Sequence, residues 1–246
     1  MSCKWIARLL LAVAAPAVAQ DFTQPSGTVG RGAVQVESST ILSGDAGGRG
    51  LTGPAPLIRI GVTDRLEVRA GSNGIQHGFG PDGVTGAADP TAGVMFRVAD
   101  EARWRPEVAL IGTLSLPFGS PEVTSAEYDP GATVAWSKQM PRGFDVAGNL
   151  SVGSVSGEGR RVLMHAQSLA AGHPISHGFR GYIEMYRVTP AGCGHRAVWV
   201  ANAGFSRDIG KNRGIDVEVG RSFAGGTRGW SVVVGFTTRL PFGAGE

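Results

Sequence analysis

A hydrophobic pattern of period two recurs about a dozen times between Ala33 and Phe242, and it constrains this chain more than any other feature. Near the C-terminus Trp230, Val232, Val234, Phe236 and Leu240 alternate with Ser231, Val233, Gly235, Thr237 and Arg239. Such alternation gives a β-strand with one apolar side and one small, polar or charged side. Beyond the first twenty residues no segment reaches the roughly 18 consecutive apolar residues of a membrane-spanning helix. A protein that crosses a membrane with this sequence crosses it with strands, as a closed β-barrel whose outer face meets lipid.

The N-terminus has the layout of a secretory leader. Lys4 and Arg8 supply the positive start, residues 9–15 a short apolar run, and Ala17-Val18-Ala19 a small-x-small cleavage site. Residues 1–19 are therefore expected to be a cleaved signal peptide, and residues 20–246 a single outer-membrane β-barrel domain. Cys3 departs with the leader and leaves Cys193 alone, so no internal disulfide is expected. The formal net charge is +3, of which Lys4 and Arg8 contribute two, so a nucleic-acid partner is not indicated.

The alternation predicts strands at 33–42, 55–62, 65–72, 91–98, 107–117, 131–138, 144–155, 161–171, 179–188, 197–206, 214–223 and 229–240. Twelve strands of about 9–11 residues suit an up-and-down antiparallel barrel. Thr63-Asp64 is the clearest tight turn, and residues 140–143 and 210–213 are further breakers. An even strand count puts both termini on one rim. The longest connection, 73–90, then falls on the opposite rim, as outward loops do. With strand directions fixed in this way, Phe118, Trp199, Phe223 and Trp230 fall near the outer rim. Phe96, Trp136, Phe144, Phe179, Phe205 and Phe242 fall near the inner rim, which predicts two aromatic girdles on the lipid face.

The opposite parity predicts the lumen: Gln35, Glu37, Arg59, Glu67, Arg69, Arg97, Asn149, Arg180, Tyr182, Glu184, Tyr186, Asp216, Glu218 and Arg239. Mixed charges do not suit a dry core, because an unpaired buried charge costs several kcal/mol. They suit a wet channel or a salt-bridged interior. The expected pore-lining set is Arg59, Arg69, Arg97, Tyr182, Glu184, Tyr186, Asp216, Glu218 and Arg239. Arginine opposite carboxylate gives a transverse field, and tyrosine offers a ring face and a hydroxyl. His165 and Gln167 are also expected to face the lumen.

Four stretches carry a family resemblance: TDRLEVR at 63–69, PEVALIGTLSLPFGS at 106–120, GYIEMY at 181–186 and GIDVEVGRSF at 214–223. In order and spacing they resemble the outer-membrane transporter family of the MetA pathway of phenol degradation, from about residue 33 to 242. The resemblance implies a bacterial outer-membrane barrel that takes up an aromatic or other small hydrophobic compound. It offers no catalytic residues. The chain departs from the usual terminal aromatic of such barrels, since Phe242 is followed by Gly-Ala-Gly-Glu and Pro241 is expected to interrupt the last strand.

No enzyme chemistry is indicated. His173 and His177 would need a helix to share a face, and Pro174 argues against one. Residues 78–83 are Gly-rich but precede no helix, so they form no phosphate loop. Asp82, Asp89 and Glu127 lack the spacing of a calcium loop. The sequence therefore predicts a passive channel or transporter with lipid and a small-molecule solute as partners and with no metal or cofactor. The alternative is a closed structural or adhesion-type barrel whose loops, 73–90 above all, contact envelope partners.

Overall fold

The computed structural model describes residues 22–157, 160–190, 197–225 and 228–241. The expected leader at residues 1–19, Cys193, His195 and Phe242 lie outside these residues. The strands are β1 (Ala33–Asp45), β2 (Gly48–Gly61), β3 (Leu66–Ser72), β4 (Ile75–Phe79), β5 (Thr85–Ala87), β6 (Pro90–Ala99), β7 (Glu107–Ser115), β8 (Asp129–Gln139), β9 (Asp145–Gly157), β10 (Arg160–Ser176), β11 (Phe179–Pro190), β12 (Val198–Ile209), β13 (Arg213–Ala224) and β14 (Trp230–Pro241). Every pairing is antiparallel.

Twelve of these strands close a barrel in chain order, with β3 paired to β6 and β14 returning to β1. The seam runs from Ala33 opposite Pro241 to Gly44 opposite Trp230, so it is a full ladder. Closure matters because an open edge would leave unpaired backbone groups in lipid. β14 continues to Pro241 instead of stopping before it. A proline at a strand's last position removes only a terminal ladder donor.

The remaining two strands correct the expectation of a plain loop at 73–90. β4 and β5 form a hairpin, and β4 pairs with Arg49–Thr52 of β2, extending that strand well beyond the expected 55–62. Asp89 anchors the base of this excursion. Its carboxylate accepts hydrogen bonds from Gly119 N (2.8 Å), Thr124 Oγ1 (2.6 Å), Ser125 N (3.0 Å) and Ser125 Oγ (3.3 Å). These bonds bind the two longest connections together on the rim away from the termini.

On the termini rim the turns are short. At Thr63 the hydroxyl accepts N–H bonds from Arg65 (3.1 Å) and Leu66 (2.9 Å), closing the predicted turn. His177 and Gly178, at φ 52° and 77°, make a two-residue turn of the kind that matches strand twist. Short turns beside the termini and long connections opposite them are the arrangement of outer-membrane barrels.

The alternation sorts side chains as expected on most strands. Ile58, Ile60, Val68, Val94, Phe96, Leu110, Leu150, Ile183, Phe205, Val217, Val219, Val234 and Phe236 are exposed on the outer face. Trp199 packs against Phe223 at a centroid distance of 6.5 Å, with Arg187 over its ring at 5.8 Å. Phe179 near the termini rim carries Arg207 at 4.7 Å.

Strand β10 is the exception. His165 and Gln167 point outward with Leu163 and Leu169, while Val162 and Met164 are buried inside. The expectation that His165 and Gln167 face the lumen is wrong. Its cause is physical: the inner wall here is itself apolar, so residue polarity does not mark the faces.

Candidate functional site

The lumen is crossed by the chain's own N-terminal segment. Residues 22–32 precede β1 and run from the termini rim inward to the wall formed by β9, β10 and β11. The segment, FTQPSGTVGRG, has no alternation and much glycine and proline, so it makes no strand of its own. Its backbone polar groups, once inside, must find partners on the wall.

They do so at successive points. Gly32 N donates to Gly61 O at 2.9 Å, and Thr28 Oγ1 to Asp64 O at 2.8 Å. Val29 N donates to Glu67 Oε2 at 2.8 Å, and its carbonyl accepts from Arg239 Nη2. Gly27 O accepts from Arg59 Nη2 at 2.9 Å. Ser26 Oγ meets Glu107 Oε1 at 2.9 Å and Ser137 Oγ at 2.6 Å. Asn149 brackets Gln24, accepting its N–H at 2.5 Å and donating to its carbonyl at 3.1 Å. At the tip, Glu184 accepts the N–H groups of Thr23 (2.5 Å) and Phe22 (3.3 Å). Thr23, Gln24, Ser26 and Val29 are all buried.

The tip also carries the site's aromatic contact. Phe22 stacks on Tyr186 with ring centroids 4.0 Å apart and planes 7° from parallel. Around it Val162, Met164 and Val188 are buried, with Val155 and Ala166 beside them. This is an apolar alcove on the inner wall, separate from a second buried apolar cluster of Met95, Ala109, Ile111 and Ala135 on β6 to β8.

The structure divides the expected pore-lining residues among five places. Arg59 and Arg69 converge on Glu67, at 2.7 Å from each Nε, and Arg59 Nη1 also reaches Glu37 at 3.1 Å. Arg69 further donates to Gln24 Oε1 at 2.6 Å. Glu67 has no exposed surface, and paired cations keep such a burial tolerable. Arg97 stands apart and pairs with Glu107 at 3.2 Å. Tyr182, Glu184 and Tyr186 share one face of β11, with Glu184 also held by Asn202 Nδ2 at 3.0 Å. Asp216 and Glu218 are buried on β13. Arg239 sits at the termini rim. The nine residues thus form no single ring, because residues 22–32 lie among them as a strap.

The strap is an element that the residue pattern does not reveal. Its one signal is negative, a polar run between the expected leader and the first strand with no period.

The described histidines form no centre. His173 Nε2 lies 3.1 Å from Arg142 O and its ring rests on Phe144, His177 is a turn residue, and His77 bonds Thr85 Oγ1 at 2.6 Å. Among the described residues no three His, Cys, Asp or Glu side chains are grouped to hold a metal.

Comparison with known proteins agrees with this architecture. Residues 15–240 match the model of the family described as "Putative MetA-pathway of phenol degradation", which bears out the resemblance drawn from the motifs. The COG4313 outer membrane channel from Pseudomonas putida F1 superposes with a TM-score of 0.66 at 12% identity, covering 87% of this chain and 98% of that chain. The NanC porin gives 0.60 at 8% identity, covering 83% of this chain and 100% of that chain. The KdgM porin in complex with disordered oligogalacturonate gives 0.58 at 10% identity, covering 83% and 98%. No curated protein matches the sequence. At these identities the structural likeness is one of fold, and with the family match it places the barrel in the bacterial outer membrane.

Proposed function

The chain belongs to the MetA-pathway phenol-degradation family, and on that premise we propose that it is a passive uptake channel for a small molecule with a flat or apolar part. One observation carries the reading. The strap occupies the lumen by hydrogen bonds to side chains on the wall, not by adding a strand to the sheet. Such bonds are worth about 0.5–1.5 kcal/mol each in net terms, or about 1.5–3 kcal/mol where charged, and can be exchanged for water one at a time. An obstruction of this kind is removable without opening the barrel.

The solute class follows from the wall that the strap's tip meets. Val162, Met164 and Val188 with the face of Tyr186 suit an apolar or aromatic ring, and Phe22 fills that place in this conformation. Arg59, Arg69, Arg97, Tyr182, Glu184, Tyr186, Asp216, Glu218 and Arg239 are the proposed lining of the path. The role requires no catalysis and no cofactor.

The second reading is a closed structural barrel, and the same strap favours it if it never leaves. Planar-bilayer conductance and liposome swelling with phenol-sized solutes separate the two. Removal of residues 22–28 is expected to raise conductance several-fold over the full chain. A variant that folds yet conducts no better than the full chain overturns the channel reading.

A further inference from the structure

The two halves of the inner wall differ in charge. On β2, β3 and β6 the inward carboxylate Glu67 and the arginines Arg59, Arg69 and Arg97 are joined in ion pairs, with Glu37 and Glu107 drawn in from β1 and β7. On β11 to β14 the inward charged residues between the two rims are Glu184, Asp216 and Glu218, all acids. Among the described residues inward bases appear on this side only at the termini rim, where Arg180 pairs with Asp145 and Arg239 is bound to Val29 O.

Glu184 takes donors from the strap and from Asn202. Asp216 does not share in this. It leans across Gly235, its direct partner on β14, where a Cβ would overlap its carboxylate. That lean carries it toward β1, the strand of Glu37. It is 4% exposed, and neither of its oxygens has a hydrogen-bond partner among the described residues. A second, separate acceptor is left in the same way. Asn202 is 8% exposed, leans over Gly220, two residues beyond Glu218 on β13, and its Oδ1 has no partner while its Nδ2 serves Glu184. Two buried acceptors without donors, in a stretch of wall with no base, call for a donor that arrives from outside. The carboxylates are not grouped to hold a metal ion. An ammonium, with three donors and no fixed geometry, meets the requirement.

We propose that Asp216, flanked by Glu37 and Glu218, is a cation station in the lumen, which receives the ammonium group of a solute and gives the path a preference for cations. The preference for cations rests on the channel reading above; the binding of ammonium does not. Two measurements on the full chain keep them apart. Saturation-transfer NMR with methylammonium on detergent-solubilised protein reads the station without any flux. The zero-current potential across a planar bilayer in a KCl gradient reads selectivity.

The wild type is expected to bind methylammonium, to ignore acetate and to favour potassium over chloride. Asp216→Asn keeps shape and loses charge. It is expected to weaken methylammonium binding by about tenfold, the value of one charge-assisted bond. It is also expected to lower the potassium-to-chloride ratio by at least about threefold. Heat-modifiable migration in a gel checks that the variant barrel has folded, and Asp216→Ser is the alternative if the asparagine variant has not. Binding that is unchanged in a folded variant overturns the proposal. So does a wild type that binds no methylammonium or prefers chloride. Ammonium binding in a barrel that conducts nothing sinks the channel reading and leaves the station standing.

Discussion

Replacing Arg59 with methionine removes the centre of the buried ion network and keeps most of its volume. Arg59 donates to Glu67 twice, at 2.7 and 3.0 Å, to Glu37 at 3.1 Å and to the strap carbonyl of Gly27 at 2.9 Å. Without it Glu67, which has no exposed surface, keeps Arg69 and the Val29 N–H, and Glu37 keeps only the amide of Gln35 at 2.6 Å. Glu37 is then a buried carboxylate with no cation in contact with it. Breaking one side of a buried pair costs about 3–5 kcal/mol, because the remaining charge is desolvated and unpaired. The loss of barrel stability should therefore lie in that range, read by urea unfolding in lipid vesicles with tryptophan emission as the signal. A companion measurement tests the cause. Adding Glu37→Gln to Arg59→Met removes the stranded charge and should recover about 1 kcal/mol or more, a coupling expected of residues in one network. A loss below about 1 kcal/mol, or no recovery in the double variant, would refute the reasoning and mean that water already reaches this network.

Three further outcomes are expected. Gly148→Ala places a Cβ 2.7 Å from the Trp136 ring and 2.8 Å from the backbone carbonyl of Ser168, and since backbone cannot yield, it should destabilise the barrel by about 1–3 kcal/mol in the same assay. Asp89→Ala removes all four bonds to residues 119–125 and should expose that loop to protease on intact cells without altering the heat-modifiable migration of the barrel. Glu101, in the connection before β7, is held below the usual carboxylate range by Lys138 Nζ at 2.5 Å and by the N–H of Gln139. Its contact with Lys138 is therefore present above the ordinary carboxylate range and is lost as the pH falls through the lowered value. Lys138→Ala should raise the Glu101 midpoint, followed by carboxyl-carbon NMR.

The strands were legible because a two-residue period, a closed wall and two unlike solvents reinforce one another at every position. β13 illustrates this: Ile215, Val217, Val219 and Phe223 face out while Asp216 and Glu218 face in, as their polarity requires. Legibility fails where the solvents stop being unlike. On β10 the inner wall is apolar at Val162 and Met164, so His165 and Gln167 were assigned to the wrong side. It fails also where structure depends on partners remote in sequence. The β4–β5 hairpin exists by pairing with residues 49–52, where Gly50 and the Gly53-Pro54 that follows hide the strand character. The strap is the extreme case. Its conformation is dictated by Glu67, Asn149 and Glu184, up to 162 positions away, and nothing in residues 22–32 encodes those partners.

The period decides which face a side chain takes, but not which way it lies once there. On the inner wall that second choice is made by glycines directly across the ladder. Tyr182 lies over Gly204, Asn202 over Gly220 and Asp216 over Gly235. The three glycines occupy successive strands, β12, β13 and β14, so the three side chains lean the same way around the barrel. A cross-strand Cβ would stand about 5 Å away and close each space. This common lean lays the three side chains along the wall, and it carries Asp216 toward β14 and β1, the strand of Glu37. Three small residues thus decide how the inner face of these strands is covered, and they leave one carboxylate that the strap does not satisfy.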